Sequence, residues 1–366
     1  MKIVRISAYQ VDLPRERTYR LSGGRISSSF DTTVVRMETD SGLIGLGEVC
    51  PFGSAYLPAY AAGVRIGIAE VAPHLIGEDP RQVGRVNETM DMALKGHPYA
   101  KSALDIACWD VLGQAAGMAL STLLGGRFGD DVELYQTIPH DTPDAMRAGL
   151  VEARAEGYRR FQPKVGGEPD TDIERIHALA AERSAGEVLV VDANGGWLAH
   201  EAMRVVRAVR DLDIVIEQPC ASYEACLVVR RHTDLPLVLD EVIDSVPALL
   251  RAHADGAMDA INLKLSKVGG LTRARQMRDL CVALGLPMTI EDSGGGDVIG
   301  TAVVHLAQAT PEKYRFGVSS GFFKVRLNTT EGAPRIAAGR VSAPTGTGLG
   351  LRPLTEILGE PVVDVS

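Results

Sequence analysis

The feature that most constrains the fold is a series of eight short, apolar, β-rich runs between residues 132 and 319. They occupy residues 132–138, 159–164, 188–193, 213–218, 236–241, 259–265, 286–291 and 314–319, and their starts are spaced by roughly 23 to 29 residues. Amphipathic stretches, such as 171–183 and 200–210, lie between them, so each repeat is the size of one strand–helix unit. We predict a closed parallel barrel, with an open doubly wound sheet as the competing topology.

The segments that flank the barrel have a different pattern. Residues 2–13, 31–39 and 43–49 alternate like the strands of a small antiparallel sheet, and helical patterns follow at about 57–75, 80–94 and 97–117. The tail returns to mixed strand and loop character. We therefore predict an α/β chain, a modified (β/α)7β TIM barrel over 126–324, with an α+β capping domain formed by 1–125 and a C-terminal return at 325–366.

Composition excludes several classes of function. The chain has 366 residues and a net charge of −9, and it contains no block of Lys and Arg, so we expect no nucleic-acid partner. No apolar stretch is long enough for a membrane span, and the N-terminus lacks the apolar core of a signal peptide. The five scattered cysteines have no zinc-ligand spacing. We expect a cytoplasmic protein with no membrane partner.

Three carboxylates follow consecutive strands of the predicted barrel. Asp192, Glu217 and Asp240 each stand at the end of an apolar run, and the carboxyl ends of barrel strands share one mouth. Any one of them alone fits a helix N-cap or a solvated turn equally well. Three converging acids would repel one another without a cation. Because all three are oxygen donors with no matching His or Cys, Mg²⁺ is the predicted metal.

One lysine ends the second run and another follows the sixth, and these two runs are opposite one another in an eight-stranded barrel. Lys164 and Lys267 would therefore flank a substrate held at the metal, and could remove and return a proton on opposite faces of a carbon acid. An exposed lysine at a strand end is the alternative for each. The pattern indicates a metal-dependent enzyme that acts on the carbon next to a carboxylate.

Three further residues are weaker candidates. Asn194 could contact metal-bound water or substrate, although a turn role is as consistent with its position. Lys264 is predicted to pair with the metal-binding carboxylates, and Asp292 to line the mouth at the end of the seventh strand. No histidine lies at a strand end, so a histidine base is not expected.

The motifs that contain these residues resemble the enolase superfamily, and within it the muconate-lactonizing subgroup. They are Val191-Asp192-Ala193-Asn194, Ile216-Glu217-Gln218-Pro219, Leu239-Asp240-Glu241 and Lys264-Leu265-Ser266-Lys267-Val268-Gly269-Gly270. The resemblance covers nearly the whole chain. It implies the capped barrel, a small-molecule carboxylate substrate, one Mg²⁺ per subunit and catalysis by Lys164 and Lys267; a homo-oligomer is also expected. One departure is that Gln162 replaces the first lysine of the usual Lys-x-Lys, which should alter the pKa of Lys164 and the contact with the substrate carboxylate.

The resemblance also suggests a substrate class. Gln162-Pro163-Lys164 and the Ser/Gly/Phe end of the eighth strand are similar to the branch that acts on proline derivatives. This implies dehydration of cis-3-hydroxy-L-proline to Δ1-pyrroline-2-carboxylate, with a 2-epimerase side reaction. Two cap loops, about 19–29 with Ser22-Gly23-Gly24 and about 51–58, are expected to set specificity. Phe52, Tyr56 and Phe322 are the residues predicted to enclose the substrate ring.

Alternative functions stay open at this point. A 2-epimerase of proline betaine or hydroxyproline betaine would favour a Trp for cation–π binding, and neither Trp109 nor Trp197 is well placed. A dipeptide epimerase would usually carry Asp-x-Asp at the eighth strand, and a sugar-acid dehydratase would favour a His base at the seventh; both are missing. A barrel that binds metabolites without turnover is the alternative outside enzymes.

Overall fold

The computed structural model describes residues 1–21 and 24–366, and its largest element is an eight-stranded parallel barrel. The barrel strands are β5 (Tyr135–Ile138), β6 (Arg160–Pro163), β7 (Val188–Asp192), β8 (Val215–Glu217), β9 (Leu237–Leu239), β10 (Ala260–Lys264), β11 (Met288–Glu291) and β12 (Arg315–Val318). A short strand, β4 (Val132–Glu133), precedes them. Neighbouring barrel strands pair in chain order, and a bridge between Tyr135 and Ser319 joins the two edges. The predicted barrel is confirmed, and the open sheet is wrong.

A helix follows each barrel strand except the last, as the spacing of the runs predicts. The helices are α5 (Pro143–Ala155), α6 (Pro169–Glu182), α7 (Ala199–Ala208), α8 (Tyr223–Arg230), α9 (Val246–Ala254), α10 (Leu265–Val268) with α11 (Leu271–Leu284), and α12 (Asp297–Gln308). Several of these helices have an N-cap residue whose side chain accepts a backbone hydrogen bond. Ser222 and Ser245, for example, accept a hydrogen bond from the backbone N–H three residues later. The seven strand–helix units and a final strand match the predicted (β/α)7β order.

The N-terminal part is an antiparallel sheet covered by helices. The sheet contains β1 (Ile3–Arg20), β2 (Ile26–Thr39) and β3 (Ile44–Val49), and the helices are α1 (Ala61–Leu75), α2 (Val83–Ala93), α3 (Pro98–Ala116) and the one-turn α4 (Leu120–Leu123). β1 and β2 pair as a two-stranded ribbon, and both strands are longer than the predicted strands at 2–13 and 31–39. Of the predicted specificity loop Ser22-Gly23-Gly24, Ser22 and Gly23 lie outside the described residues.

The C-terminal segment returns to the N-terminal sheet. It contains β13 (Thr330–Glu331), β14 (Arg340–Val341), β15 (Arg352–Pro353), α13 (Thr355–Leu358) and β16 (Val363–Val365). β16 pairs with β1, and β14 pairs with β4 beside the barrel. The domain boundaries near residues 125 and 325 stay a prediction. Within the described residues, no helix is both long enough and apolar enough to cross a membrane.

Helix α3 joins the cap to the barrel. A Cβ on Gly47 would overlap the carbonyl oxygen of Ala103, so the missing side chain lets α3 lie directly on β3. On the barrel side, Asp105 of α3 is fully buried and accepts hydrogen bonds from the backbone N–H and hydroxyl of Thr272, at the start of α11. The helix is therefore enclosed between two layers, which explains why every residue from Tyr99 to Val111 is buried.

His305 connects α12 to the C-terminal return. Its Nδ1 accepts a hydrogen bond from the N–H of Ser121 at 3.1 Å, and its Nε2 donates to the carbonyl of Leu349 at 3.1 Å. Both ring nitrogens are satisfied only in the neutral form, and burial lowers the pKa of His305 to about 4.

We predict that His305 makes the stability of the fold sensitive to acid. In the unfolded state the pKa of this histidine is near 6.5, so the unfolded chain binds a proton here at a pH where the folded protein does not. The free energy of unfolding that neutral His305 contributes is therefore complete above pH 6.5 and is lost as the pH falls towards 4. It amounts to about 3 kcal/mol at most. Urea unfolding of His305→Gln between pH 7.5 and 4.5 should show a shallower pH dependence than wild type. The exposed His177→Gln should keep the wild-type slope, and an unchanged slope for His305→Gln would contradict the assignment.

Candidate active site

The three predicted carboxylates meet at the carboxyl ends of adjacent strands. Asp192 ends β7 and is paired in register with Glu217 at the end of β8, and Asp240 directly follows β9. The strands that precede them are buried in the barrel core, so each carboxylate is carried into the mouth by an apolar segment. All three residues are 1% exposed, which rules out the alternative of solvated turn residues.

The predicted lysines contact these carboxylates. Lys164, the residue after β6, donates from Nζ to Asp192 Oδ2. Lys267 Nζ donates to Asp240 Oδ1 at 2.9 Å and to its carbonyl at 2.5 Å, while Lys264 reaches Asp240 Oδ2. Lys267 lies within the one-turn helix α10 rather than at the end of β10, a small correction to its predicted place. All three lysines are buried, so the alternative of exposed strand-end lysines is wrong.

Buried ion pairs determine the protonation of the site. Burial lowers the pKa of Lys164, but the attraction of Asp192, Tyr19 and Glu217 outweighs it, and the net pKa is raised. The pKa of Asp240 is lowered because Lys264 and Lys267 overcome the effect of its own burial. Lys164 is thus an ammonium in the described arrangement, and it becomes a base only when its pair with Asp192 is separated.

The mouth contains more acids than bases. The acids are Asp192, Glu217, Asp240, Glu241, Glu291 and Asp292, against Lys164, Lys264 and Lys267. Burial, together with the charges of Asp192 and Asp240, raises the pKa of Glu217. Burial raises the pKa of Glu241 to about 7 and that of Asp292 to about 6. The raised pKa values reflect the cost of burying so many carboxyl groups together, and a cation at the mouth would reduce that cost.

The donor set fits a hard divalent cation. Its charged members are carboxylates, and two buried oxygens, Asn194 Oδ1 and Glu241 Oε2, have no hydrogen-bond partner. Among the residues that the structure describes, no three His, Cys, Asp or Glu side chains already converge on one point. The carboxylate oxygens accept hydrogen bonds from lysine and amide side chains instead, so a bound cation would replace some of these hydrogen bonds.

Amide side chains hold the central carboxylate. Gln162, the substitution in the Lys-x-Lys position, donates to Glu217 Oε2 at 2.8 Å, and Asn262 donates to Glu217 Oε1 at 2.9 Å. Asn194 adopts the left-handed backbone conformation of a turn residue, with φ +45°. Its side-chain amide also donates a hydrogen bond to Asp192 Oδ2 at 2.9 Å, so it orients the carboxylate as well as forming the turn. The sequence prediction missed Asn262. Its signal is a polar residue in the middle of an apolar strand.

Glu291 and Tyr135 are further functional candidates that the sequence prediction missed. Tyr135 donates to Glu291, which also accepts from Asn262 at 2.8 Å and lies 3.4 Å from Lys264 Nζ. Asp292 lines the mouth as predicted, with its carboxylate oxygens held by the N–H groups of Ser266 and Ser293 at 2.7 Å.

Aromatic residues from the cap and from the turn after β12 cover the site. The cavity of about 70 Å³ is lined by the three predicted ring-contacting residues, Phe52, Tyr56 and Phe322, and by Tyr19 and Phe30. Phe52 packs edge-on against Tyr19, Phe30 and Tyr56 at centroid distances of 5.8–6.1 Å. Tyr56 also donates to Asp240 Oδ2 at 3.1 Å, so the cap touches the carboxylate cluster directly.

Neither tryptophan lines this cavity. Trp109, on α3, donates a hydrogen bond to Thr272 at the start of α11. Trp197, after β7, donates a hydrogen bond to Asp172 on α6. A tryptophan face for a quaternary ammonium is therefore not provided at this site.

Asp172 orders the loop that follows Lys164. Its Oδ2 accepts from the N–H of Gly166 at 2.9 Å, the N–H of Gly167 at 2.7 Å and Trp197 Nε1 at 2.9 Å. Its Oδ1 accepts from Arg175 at 2.8 Å, and the residue is fully buried. These bonds tie the Lys164 loop to the loop after Asp192, where the lysine and the carboxylate meet.

We expect Asp172→Asn to lower the free energy of unfolding by about 2–3 kcal/mol, because an amide accepts fewer of these bonds and leaves Arg175 without its charge partner. Urea denaturation would measure the change. Asp170→Asn, on the same helix but exposed and paired with Arg204, should cost less than about 0.5 kcal/mol. Equal losses in the two variants would argue against this role.

Comparison with known proteins places this architecture in a family. Residues 145–357 match the enolase C-terminal domain-like family, and residues 8–125 match the mandelate racemase / muconate lactonizing enzyme N-terminal domain. A crystal structure of an enolase superfamily member from Roseovarius nubinhibens, complexed with magnesium, superposes with a TM-score of 0.95 at 41% identity, covering 100% of this chain and 99% of the other.

Curated relatives cover nearly the same length. The chain is 53% identical over 367 residues to the cis-3-hydroxy-L-proline dehydratase of Roseibium aggregatum, with 100% of both chains covered. It is 30% identical to the hydrophobic dipeptide epimerase of Enterococcus faecalis, over 96% of this chain and 99% of the relative.

Proposed function

The chain belongs to the mandelate racemase / muconate lactonizing enzyme group of the enolase superfamily, and on this basis we propose that it dehydrates cis-3-hydroxy-L-proline to Δ1-pyrroline-2-carboxylate. The observation that carries the proposal is that lysines from opposite strands of the barrel contact one cluster of carboxylates. Identity of 53% over the full length to a dehydratase of that substrate supports the substrate class. The alternatives of a sugar-acid dehydratase and a passive barrel have no comparable support.

Asp192, Glu217 and Asp240 are the residues that would hold one Mg²⁺ per subunit. The chemistry supplied by bound Mg²⁺ is positive charge that offsets the negative charge developing on the substrate carboxylate. Asn194, Gln162 and Asn262 orient the carboxylate ligands through hydrogen bonds. The magnesium-containing relative supports this assignment.

Lys164 and Lys267 are the proposed bases. Each is held by a carboxylate, and each would be free to exchange a proton with the substrate once that contact is broken. One lysine removes the α-proton of the imino acid. Loss of the 3-hydroxyl then completes a dehydration, whereas proton return from the opposite lysine completes a 2-epimerisation, so one site supports both outcomes.

The walls of the cavity suit a free imino acid. Phe52, Tyr56 and Phe322 would enclose the apolar ring, and Asp292 lies where a secondary ammonium could pair with it. A betaine epimerase is disfavoured by the absence of a tryptophan from the described lining. We further propose a homo-oligomer located in the cytoplasm; the five buried thiols are compatible with a reducing compartment.

Replacing Lys164 or Lys267 by Ala should abolish α-proton exchange for at least one enantiomer of proline, because each face of the substrate is served by one lysine. The loss should exceed about 10²-fold. Incubation in D₂O, followed by NMR of the α-position and by assay of pyrroline formation, would measure it.

Lys313→Ala, a change on the 3-10 turn before β12 and away from the cavity, is the matched control. Full retention of exchange in both active-site variants would refute the assignment of two bases. Wild-type protein that neither exchanges the α-proton nor forms pyrroline with any proline or hydroxyproline isomer would exclude this substrate class.

Added Mg²⁺ should raise the melting temperature of the wild-type protein by about 2–5 °C at saturating concentration, because binding to the folded state alone stabilises it. Asp240→Asn should lose most of this Mg²⁺-induced shift, since one of three anionic ligands is removed. The exposed Asp244→Asn should keep it. A full shift in Asp240→Asn would show that the ion binds elsewhere.

A further inference from the structure

Arg15 is a cap residue that reaches into the active-site cavity. It lies on β1, and its guanidinium is stacked between the rings of Tyr19 and Phe30, 4.7 and 4.6 Å from their centroids. Its Nε is buried and has no hydrogen-bond partner among the described residues. The mechanism proposed above does not use this group.

The lack of a partner distinguishes Arg15 from the neighbouring arginine. Arg17, two residues along the same strand, makes two hydrogen bonds to Glu152 and is largely exposed. Within the described part of the chain, Arg15 forms no ion pair. Leaving a buried donor without an acceptor is costly, so the position of Arg15 is explained if an acceptor arrives with the substrate.

Arg15 lies on the Lys164 side of the cavity. Arg15 and Tyr19 line a second cavity together with residues 136–139 of β5 and the turn after it. Within that stretch, Ile138 accepts a hydrogen bond from the backbone N–H of Lys164 at 3.0 Å. Lys267 comes from β10–α10, across the barrel from β6. An acceptor that reaches Arg15 is therefore on the face of the substrate turned towards Lys164 and away from Lys267.

The stereochemistry of the proposed substrate agrees with this placement. In cis-3-hydroxy-L-proline the hydroxyl and the carboxylate share one face of the ring, so the α-hydrogen lies on the opposite face from the hydroxyl. If Lys267 takes the α-hydrogen, the hydroxyl points towards Lys164 and Arg15. L-Proline presents the same α-hydrogen with no acceptor on the other face.

We propose that Arg15 is a specificity-determining residue that donates a hydrogen bond from its guanidinium to the 3-hydroxyl oxygen of the substrate ring and holds that oxygen as it departs. The inference rests on the proposed function. In the elimination, the C2–H and C3–O bonds break, a C2=C3 double bond forms, and the proton and hydroxide leave in the net reaction as one water. Arg15 keeps its own protons, since it supplies only a hydrogen bond and positive charge.

The test compares two reactions of one enzyme. Arg15→Met removes the guanidinium while keeping an apolar stem between the two rings, and Arg15→Lys keeps a cation and a donor. For each Mg²⁺-loaded variant, kcat/KM for dehydration of cis-3-hydroxy-L-proline and the α-deuterium exchange of L-proline would be measured, with Arg17→Met as the matched control.

We expect Arg15→Met to lower dehydration by about 10²–10³-fold, as for removal of one donor to a developing oxyanion, while exchange of L-proline changes less than about threefold. Arg15→Lys should recover part of the dehydration, and Arg17→Met should match wild type in both reactions. Equal losses of both reactions in Arg15→Met, or no loss of dehydration, would overturn the assignment.

A binding measurement separates this inference from the proposed function. In the double variant Lys164→Met/Lys267→Met, which cannot turn over, calorimetry with Mg²⁺ would compare cis-3-hydroxy-L-proline with L-proline. The hydroxylated ligand should bind at least about tenfold more tightly, and adding Arg15→Met should remove the difference. A difference that persists without Arg15 refutes the contact. Failure of the wild type to dehydrate, with this preference intact, would refute the reaction and not the contact.

Discussion

Neutralisation of buried charge in the barrel mouth is the constraint on which the rest of the site depends. Asp192, Glu217 and Asp240 are carried there by three apolar strands that the core requires, and burial makes isolated ions costly. Lys164 and Lys267 satisfy two of the carboxylates in the described arrangement. The same lysines are the candidate bases, so charge balance and catalysis use one set of side chains.

The cap completes the site because it is bonded to the barrel close to the mouth. Glu48 of β3 accepts from the N–H groups of Gly296, Val298 and Ile299 at the start of α12, and Asp105 of α3 accepts from Thr272 at the start of α11. Helix N-termini favour such anions. These contacts hold the aromatic cover over the carboxylates, and they are the reason that β1 and the 51–58 loop can shape the cavity.

Much of the fold and of the reacting centre could be predicted from the sequence. Strand–helix periodicity predicted the barrel, and strand-end position predicted that Asp192, Glu217 and Asp240 would be neighbours. Asn262, Glu291 and Tyr135 were missed because a polar residue in an apolar strand has no local sign of what it faces. Arg15 was missed because its role depends on its surroundings. Its guanidinium is stacked between Tyr19 and Phe30, and the rest of the cavity is formed largely by barrel residues more than a hundred positions away.

The sequence alone determined that Asp192, Glu217 and Asp240 stand at the ends of barrel strands, because the repeat of apolar run and amphipathic helix is a local property of the chain. Only the tertiary structure decided which lysine contacts which carboxylate, that Gln162 holds Glu217, and that Arg15 reaches the cavity without a partner. Those outcomes depend on side chains that approach from separate elements, and their distances and burial arise only when the cap closes on the barrel.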